Sequence, residues 1–184
     1  MKIYDKVKRG AAIALLSTTL IPVQAQRIGL KTNALYWATA SPNIGAEFRL
    51  NRHVTLNMEG VANRLKLGSK VDTRLWSFSP EVRYWFSARP QAGHFLGLMG
   101  TTSTYNLMLG DTRHNGDAIG GGLTYGYSFV LGRRWSLEAT LGGGMVKIRE
   151  KKYGRNEQAP GKANNIKWMA APLKAGVTFV YIIK

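Results

Sequence analysis

The chain has 184 residues, enough for one domain with its own core, and it contains no cysteine. The lack of cysteine excludes a disulfide framework, a thiol nucleophile and a thiolate metal site. The net charge of +16 is strongly basic and indicates a partner with negative charge.

The first 25 residues have the three parts of a secretory signal peptide. A basic start that includes Lys2 and Arg9 precedes an apolar run from Ala11 to Val23, and Val23-Gln24-Ala25 has the small-x-small form of a cleavage site. The apolar run is shorter than the ~20 residues that a membrane-spanning helix needs. We therefore predict a signal peptide at 1–25 and one exported domain at 26–184. An exported chain rarely meets nucleic acid, so lipid or polysaccharide phosphates are the favoured partners.

After residue 25 the chain alternates between apolar and polar residues with the period of two that strands have. The clearest example is the run from Tyr125 to Arg149. Its residues alternate with a period of two on both sides of a Gly132-Arg133-Arg134 turn, which predicts a long hairpin. Eight strands are predicted in this way: 28–39, 43–50, 54 to about 64, 75–86, 94–107, 118–131, 135–150 and 167–183.

The connections between these strands alternate in length. Short turns follow the second, fourth and sixth strands, and longer loops follow the third, fifth and seventh. Outer-membrane barrels have short periplasmic turns and longer outer loops, and no other stretch could cross a bilayer as a helix. The predicted fold is all-β: an eight-stranded antiparallel up-and-down transmembrane β-barrel in the outer membrane.

The two faces of the predicted strands differ in chemistry. One face is apolar and is assigned to lipid; it includes Ile44, Phe48, Trp76, Val82 and Phe179. The other face is polar and carries both signs of charge, which a narrow lumen tolerates only when the charges are paired. The sequence thus predicts a salt-bridged interior of four acids and four bases: Lys31, Glu47, Arg49, Glu59, Glu81, Arg83, Glu138 and Lys174.

Aromatic residues recur near the predicted strand ends, as in the interfacial girdles of membrane proteins. The predicted girdle residues are Tyr36, Trp37, Trp76, Tyr84, Trp85, Phe86, Tyr105, Phe129, Trp135, Trp168 and Tyr181. An aromatic core in a soluble sandwich is the alternative interpretation.

Basic residues surround the predicted outer loops, where clustered cations could contact the phosphates of lipopolysaccharide. General solvation of the loops is an equally good interpretation. The candidate lipid contacts are Arg64, Lys66, Lys70, Arg74, Lys147, Arg149, Lys151, Lys152 and Arg155, with Lys162 and Lys167 close by.

No cofactor, metal or catalytic site is predicted. The three histidines, His53, His94 and His114, do not converge on one place in the predicted barrel. A lipid-modifying enzyme with His114, an acid such as Asp111 or Asp117, and a serine such as Ser69 or Ser103 is the least favoured alternative, because no motif supports it.

Five runs resemble a family of exported proteins that is described as a domain of unknown function. They are KTNALYWATASPNIGAEF at 31–48, EVRYWF at 81–86, GHFLGL at 93–98, GGGLTYGYSFVLGRRWSLEATLGGG at 120–144 and PLKAGV at 172–177. The resemblance covers nearly all of the exported part. It implies a small outer-membrane barrel of Gram-negative anaerobes, in some members linked to fimbrial components, and it brings no activity or catalytic residue.

The expected role is structural or interactive: membrane integrity, adhesion, or support of a surface or fimbrial assembly. A narrow channel is the second hypothesis.

Overall fold

The computed structural model describes residues 28–67, 71–87, 89, 91–109, 112–154, 163 and 165–183. The predicted signal peptide at 1–25 lies outside these ranges. Within them, no helix combines the length and the apolar character that crossing a bilayer would require.

Eight strands and one short helix make up the described chain. The strands follow one another as antiparallel neighbours, and β1 also pairs with β8, so the sheet closes into a barrel. The all-β, eight-stranded, up-and-down part of the prediction is confirmed. The elements are β1 Ile28–Asn33, α1 Ala34–Ala38, β2 Asn43–Arg49, β3 Val54–Leu67, β4 Val71–Trp85, β5 Gly93–Leu109, β6 Thr112–Val130, β7 Trp135–Gly154 and β8 Asn165–Ile183.

The prediction that the first strand continues to residue 39 is wrong, because β1 ends at Asn33 and α1 begins at Ala34. Asn33 is the N-cap of the helix, and its side chain accepts a hydrogen bond from Leu35 N at 3.0 Å. Trp37 Nε1 donates to Thr32 Oγ1 at 2.7 Å and holds the helix against the end of β1. Asparagine is a strong N-cap, and this local bond outweighs the weak alternation of the residues that follow.

Most of the other strands are longer than predicted, and the connections after β3, β5 and β7 are correspondingly shorter. The β3–β4 pairing continues to Leu67 opposite Val71, and the β5–β6 pairing continues to Leu109 opposite Thr112. The sequence of these strand ends includes Lys66, Asp72, Arg113 and Gly116, which interrupt the apolar alternation and were therefore assigned to loops. Backbone pairing of a hairpin can continue where the side-chain alternation has ended.

The wall of the barrel is much lower at β1 and β2 than elsewhere. These strands have 6 and 7 residues, whereas β7 has 20. The pairing of β1 with β8 ends at Asn33 opposite Thr178, and that of β2 with β3 ends at Asn43 opposite Val61. Beyond these points, α1 packs against β8 and the turn after α1 bonds to β3. Pro42 O in this turn accepts a hydrogen bond from Ala62 N at 3.0 Å.

Polar and charged side chains fill the lumen, and apolar side chains cover the outside. Leu141 is 71% exposed and Ile44 is 67% exposed, whereas Glu47 is 0% and Arg83 is 1% exposed. On β7 the outward apolar residues run from Trp135 to Met145, and on β4 they run from Tyr84 to Trp76. We call this zone the apolar belt. Above it, at the end of the barrel opposite the turns of β2–β3 and β6–β7, the outward residues become polar and basic.

Candidate functional site

A network of buried charges joins strands from all sides of the barrel. Side-chain alternation sends Glu47, Glu81, Arg83 and Glu138 to the inside of β2, β4 and β7, and each is at most 1% exposed. In an eight-stranded barrel the inward side chains of opposite strands meet across the lumen. The network therefore forms a plug through the middle of the molecule.

Arg83 is the centre of this plug. Its Nη1 atom lies 2.9 Å from Glu138 Oε1 and 3.4 Å from Glu47 Oε2, and its Nη2 atom lies 2.8 Å from Glu81 Oε2. One planar guanidinium thus links carboxylates from three strands, which the fork of donors on arginine allows.

Two lysines complete the plug from the side of β1 and β8. Lys31 Nζ pairs with Glu47 and lies 2.7 Å from Glu138 Oε2. Lys174 Nζ lies 2.6 Å from Glu59 Oε2 and 3.1 Å from Glu81 Oε2. Each lysine therefore bridges two carboxylates, so a continuous chain of ion pairs runs from Lys31 to Glu59.

Neutral donors satisfy further carboxylate oxygens. Thr55 Oγ1 donates to Glu47, and Thr124 Oγ1 donates to Glu81. Asn57 Nδ2 donates to Glu81 Oε2 at 3.2 Å. Buried charges persist only when their hydrogen-bonding capacity is met in this way.

Arg49 does not join the network, which corrects the prediction of four matched bases. Its Nε atom donates to Asn51 O at 3.2 Å in the turn after β2, and no ion pair links it to an acid within the described chain. The plug therefore contains four carboxylates and three cations. Arg49 has the right alternation but lies at the last residue of β2, where a long side chain can turn toward solvent.

Two aromatic residues form the floor of the plug. Trp85 and Phe95 are 0% exposed, and their ring centroids lie 4.8 Å apart. The Arg83 guanidinium stacks over the Phe95 ring at 4.4 Å, and Trp85 Nε1 donates to Thr55 Oγ1 at 2.9 Å. The assignment of Trp85 to an interfacial girdle is wrong. Its place two residues after Arg83 was the signal that it points inward.

A second polar cluster, not predicted from the sequence, lies at the upper end of the lumen, opposite the turns of β2–β3 and β6–β7. Glu150 accepts hydrogen bonds from Asn165 Nδ2 at 2.6 Å and Tyr105 OH at 3.3 Å, and His114 Nδ1 lies 3.2 Å from the same carboxylate. Burial alone raises the pKa of Glu150, but these hydrogen bonds outweigh it and leave the pKa below its ordinary value. Burial and the Glu150 charge raise the pKa of Tyr105 to about 12.

The predicted basic residues lie on strands more than on loops. Arg64 and Arg74 are exposed and stand directly opposite each other on β3 and β4. Lys147 lies over the Trp168 ring at 5.6 Å, and Arg149 is the register partner of Asp117. Lys66 belongs to β3, and Lys151 and Lys152 belong to β7. Lys70, Arg155 and Lys162 lie outside the described residues, and Lys167 is exposed on β8.

The residues considered for a lipid-modifying enzyme are not brought together where the structure describes them. His114 faces the lumen beside Glu150, whereas Asp117 is exposed on the outside and accepts from Thr104 Oγ1 at 2.9 Å. Asp111 and Ser69 lie outside the described residues. Within the described ranges, no group of three histidine, cysteine or acidic residues could hold a metal ion.

Comparison with known proteins gives a family without an assigned activity. No curated protein and no solved structure matches the chain. Residues 11–183 match the family described as "Protein of unknown function (DUF3575)", which is nearly the whole sequence. The chain belongs to the DUF3575 family.

Proposed function

We propose that this protein is a transmembrane β-barrel of the outer membrane with a closed lumen and a structural or interactive role. In this proposal the segment 1–25 directs export and is removed, and residues 26–184 insert as the barrel. The supporting observation is the combination of an exposed apolar belt with a buried ionic plug. A soluble barrel has the reverse arrangement, with apolar residues inside and polar residues outside.

The dimensions of the belt support membrane insertion. On β7 it runs from Trp135 to Met145, and a transmembrane strand needs about 9–11 residues. Exposed aromatic residues mark both of its edges: Tyr84, Phe86, Phe129 and Trp135 at the turn end, and Trp76 and Trp168 at the other end. Tryptophan and tyrosine prefer the membrane–water interface, where one part of the ring is apolar and another can bond to water.

The plug supports a closed lumen. Seven charged side chains are linked across the barrel by ion pairs of 3.4 Å or less, so a passing ion would have to break several of them. Each broken pair would leave a buried charge without a partner, which costs several kcal/mol. We therefore favour a structural barrel over the channel hypothesis.

The upper parts of the long strands support an interactive role. β6, β7 and β8 have 19 or 20 residues, about twice what a bilayer requires, so a wall of sheet would project beyond the membrane. Such a wall offers a surface protein, for example a fimbrial component, a rigid face to dock on.

The test uses the full chain expressed with its N-terminal segment. We expect it in the outer-membrane fraction, soluble only with detergent, and migrating faster on a gel before boiling than after boiling. In a planar bilayer, the purified barrel should give no conductance steps above the leak. Solubility without detergent would contradict the membrane location, and reproducible conductance steps would replace the closed-barrel proposal with the channel.

A further inference from the structure

The strongest unexplained charge feature is a pair of arginines that face each other on the outer surface. Arg64 on β3 and Arg74 on β4 are register partners, and both side chains are exposed on the face that carries the apolar belt. Like charges directly opposite each other on a sheet are destabilising. Among the side chains that the structure describes, neither arginine forms an ion pair with an acid. The pair is therefore a local excess of positive charge that the protein maintains at some cost.

The neighbouring positions supply more hydrogen-bond donors. Asn106 is the register partner of Arg74, and Asn115 is the register partner of Asn106, so two arginines and two amides form one row across four strands. A groove of about 410 Å³ lies along this row. Two guanidinium forks with adjacent amides match the several acceptor oxygens of a phosphate group.

Two other outward cations differ from this pair because the protein itself gives them partners. Arg149 stands opposite Asp117, and Lys147 lies over the ring of Trp168. Among the acidic side chains that the structure describes, none forms an ion pair with Arg64 or Arg74. An anion from outside the protein would compensate their charge.

The position of the row along the barrel axis indicates which kind of molecule would supply that anion. The next outward position toward the belt on β4 is Trp76, which is 55% exposed and also lines the groove. The arginines thus lie just above the apolar belt, at the level where the headgroups of the outer leaflet would meet the barrel. A lipid bound here could place its phosphate on the arginines and its acyl chains against the belt.

We propose that Arg64, Arg74, Asn106 and Asn115 form a binding site for a phosphorylated glycolipid headgroup of the outer leaflet. This inference rests on the proposed membrane location, and it adds the ligand class and the residues that bind it. The two arginines hold the phosphate, the two asparagines donate to its remaining oxygens or to sugar hydroxyls, and Trp76 packs beside the sugar or the first part of an acyl chain.

The test measures binding of diphosphoryl lipid A to the detergent-solubilised full-length barrel. The double variant R64E/R74E should bind at least about tenfold more weakly than the wild type, because two charge-assisted contacts become repulsive. The matched control is R52E/R133E, which makes the same change of charge at exposed turn positions at the other end of the barrel. The control should stay within about twofold of the wild type. R64S/R74S, which removes the charge without reversing it, serves as a milder second variant with the same expected direction.

Two further ligands, compared with lipid A, identify what the site binds. Dephosphorylated lipid A should bind with affinity reduced by a similar factor, and inorganic phosphate should compete only at far higher concentration than lipid A. Equal binding of the dephosphorylated lipid, equal affinity for inorganic phosphate, or unchanged lipid A binding by R64E/R74E and R64S/R74S would each overturn the site. Failure of the membrane proposal appears separately, because the wild type would then show no heat-dependent gel shift and would need no detergent.

Discussion

At the scale of single residues, Arg83 forms ion pairs with more buried acids than any other basic side chain in the described chain. It bonds to Glu47, Glu81 and Glu138 and stacks over Phe95. We predict that Arg83→Met lowers the free energy of unfolding by about 3–5 kcal/mol, because three carboxylates lose a shared cation in a buried place. Urea unfolding in detergent micelles, followed by tryptophan fluorescence, measures this change.

Arg49→Met is the matched control for this variant. Arg49 is also on an inward position of the alternation, but it bonds to Asn51 O at the turn instead of to a carboxylate. Its replacement should change the free energy of unfolding by less than about 0.5 kcal/mol. An effect as large as that of Arg83→Met would show that Arg49 belongs to the plug after all.

Gly97 makes room for the plug on β5. A Cβ atom at this position would overlap Thr124 Oγ1 and the Glu81 carboxylate. We predict that Gly97→Ala destabilises the barrel by about 1–3 kcal/mol, since the carboxylate must leave its hydrogen bonds to avoid the methyl group. The same unfolding measurement detects it.

Gly100→Ala provides the comparison on the same strand. A Cβ atom there would meet Pro80 Cγ at 3.9 Å, which is an ordinary contact. This variant should unfold within about 0.5 kcal/mol of the wild type. Equal effects at both glycines would mean that the loss comes from the strand backbone and not from the plug.

The alternation of residues in the sequence was sufficient to find most residues of the plug, but not the number of bases in it. Glu47, Glu81 and Glu138 occupy inward positions because alternation fixes the face of each residue on a strand. Alternation does not fix depth along the barrel axis, so Arg49 at a strand end was grouped with residues in the middle. It also does not reveal which partner a side chain reaches across the lumen, and Trp85 was placed by residue type instead of by its face.

At the scale of the elements, the upper end of the lumen depends on one carboxylate that links several strands. Glu150 on β7 contacts Tyr105 on β5, His114 on β6 and Asn165 on β8. Its pKa lies below the ordinary value, so the folded state stabilises the charged form. That stabilisation is present at neutral pH and is lost as the pH falls below the ordinary carboxyl value of 4.5 and through the lowered pKa.

We therefore predict that the ends of β6, β7 and β8 around Glu150 open at acidic pH before the rest of the barrel does. Hydrogen exchange, corrected for the intrinsic rate at each pH, should show reduced protection near His114 and Glu150 at about pH 3. The Glu150→Gln variant should show the reduced protection already at pH 7 and little further change. An identical pH response in the wild type and the variant would contradict the role of Glu150.

The positions of the strands were more predictable than their ends. Apolar alternation located all eight strands in the belt, but above the belt polar and apolar residues mix on both faces of the wall and the pattern weakens. The hairpins continue there through backbone bonds that no side-chain pattern records. The helix α1 was missed for the opposite reason, since five residues are too few for a helical period to show.

At the scale of the whole molecule, the barrel is closed by the pairing of β1 with β8, here called the seam, and Lys31 stabilises it. Lys31 on β1 pairs with Glu138 on β7, so this ion pair crosses over β8 and spans the closing seam. We predict that Lys31→Met raises hydrogen exchange in β1 and β8 more than in β4 and β5, because the seam loses its ion pair to Glu138.

Leu30→Val, a conservative change at the exposed outward neighbour on β1, is the control and should leave the exchange pattern unchanged. Uniform exchange across all strands of Lys31→Met would contradict a special role at the seam.

The low wall at β1 and β2 has a consequence for the order of folding. Neighbouring strands such as β6 and β7 pair over a short stretch of chain, whereas β1 must find β8 across almost the entire sequence. The entropy lost in closing so large a loop has to be recovered by a strand of only 6 residues. We therefore expect an open curved sheet, begun by the β6–β7 hairpin, to form first. The β1–β8 seam would then close last during folding and open first during unfolding.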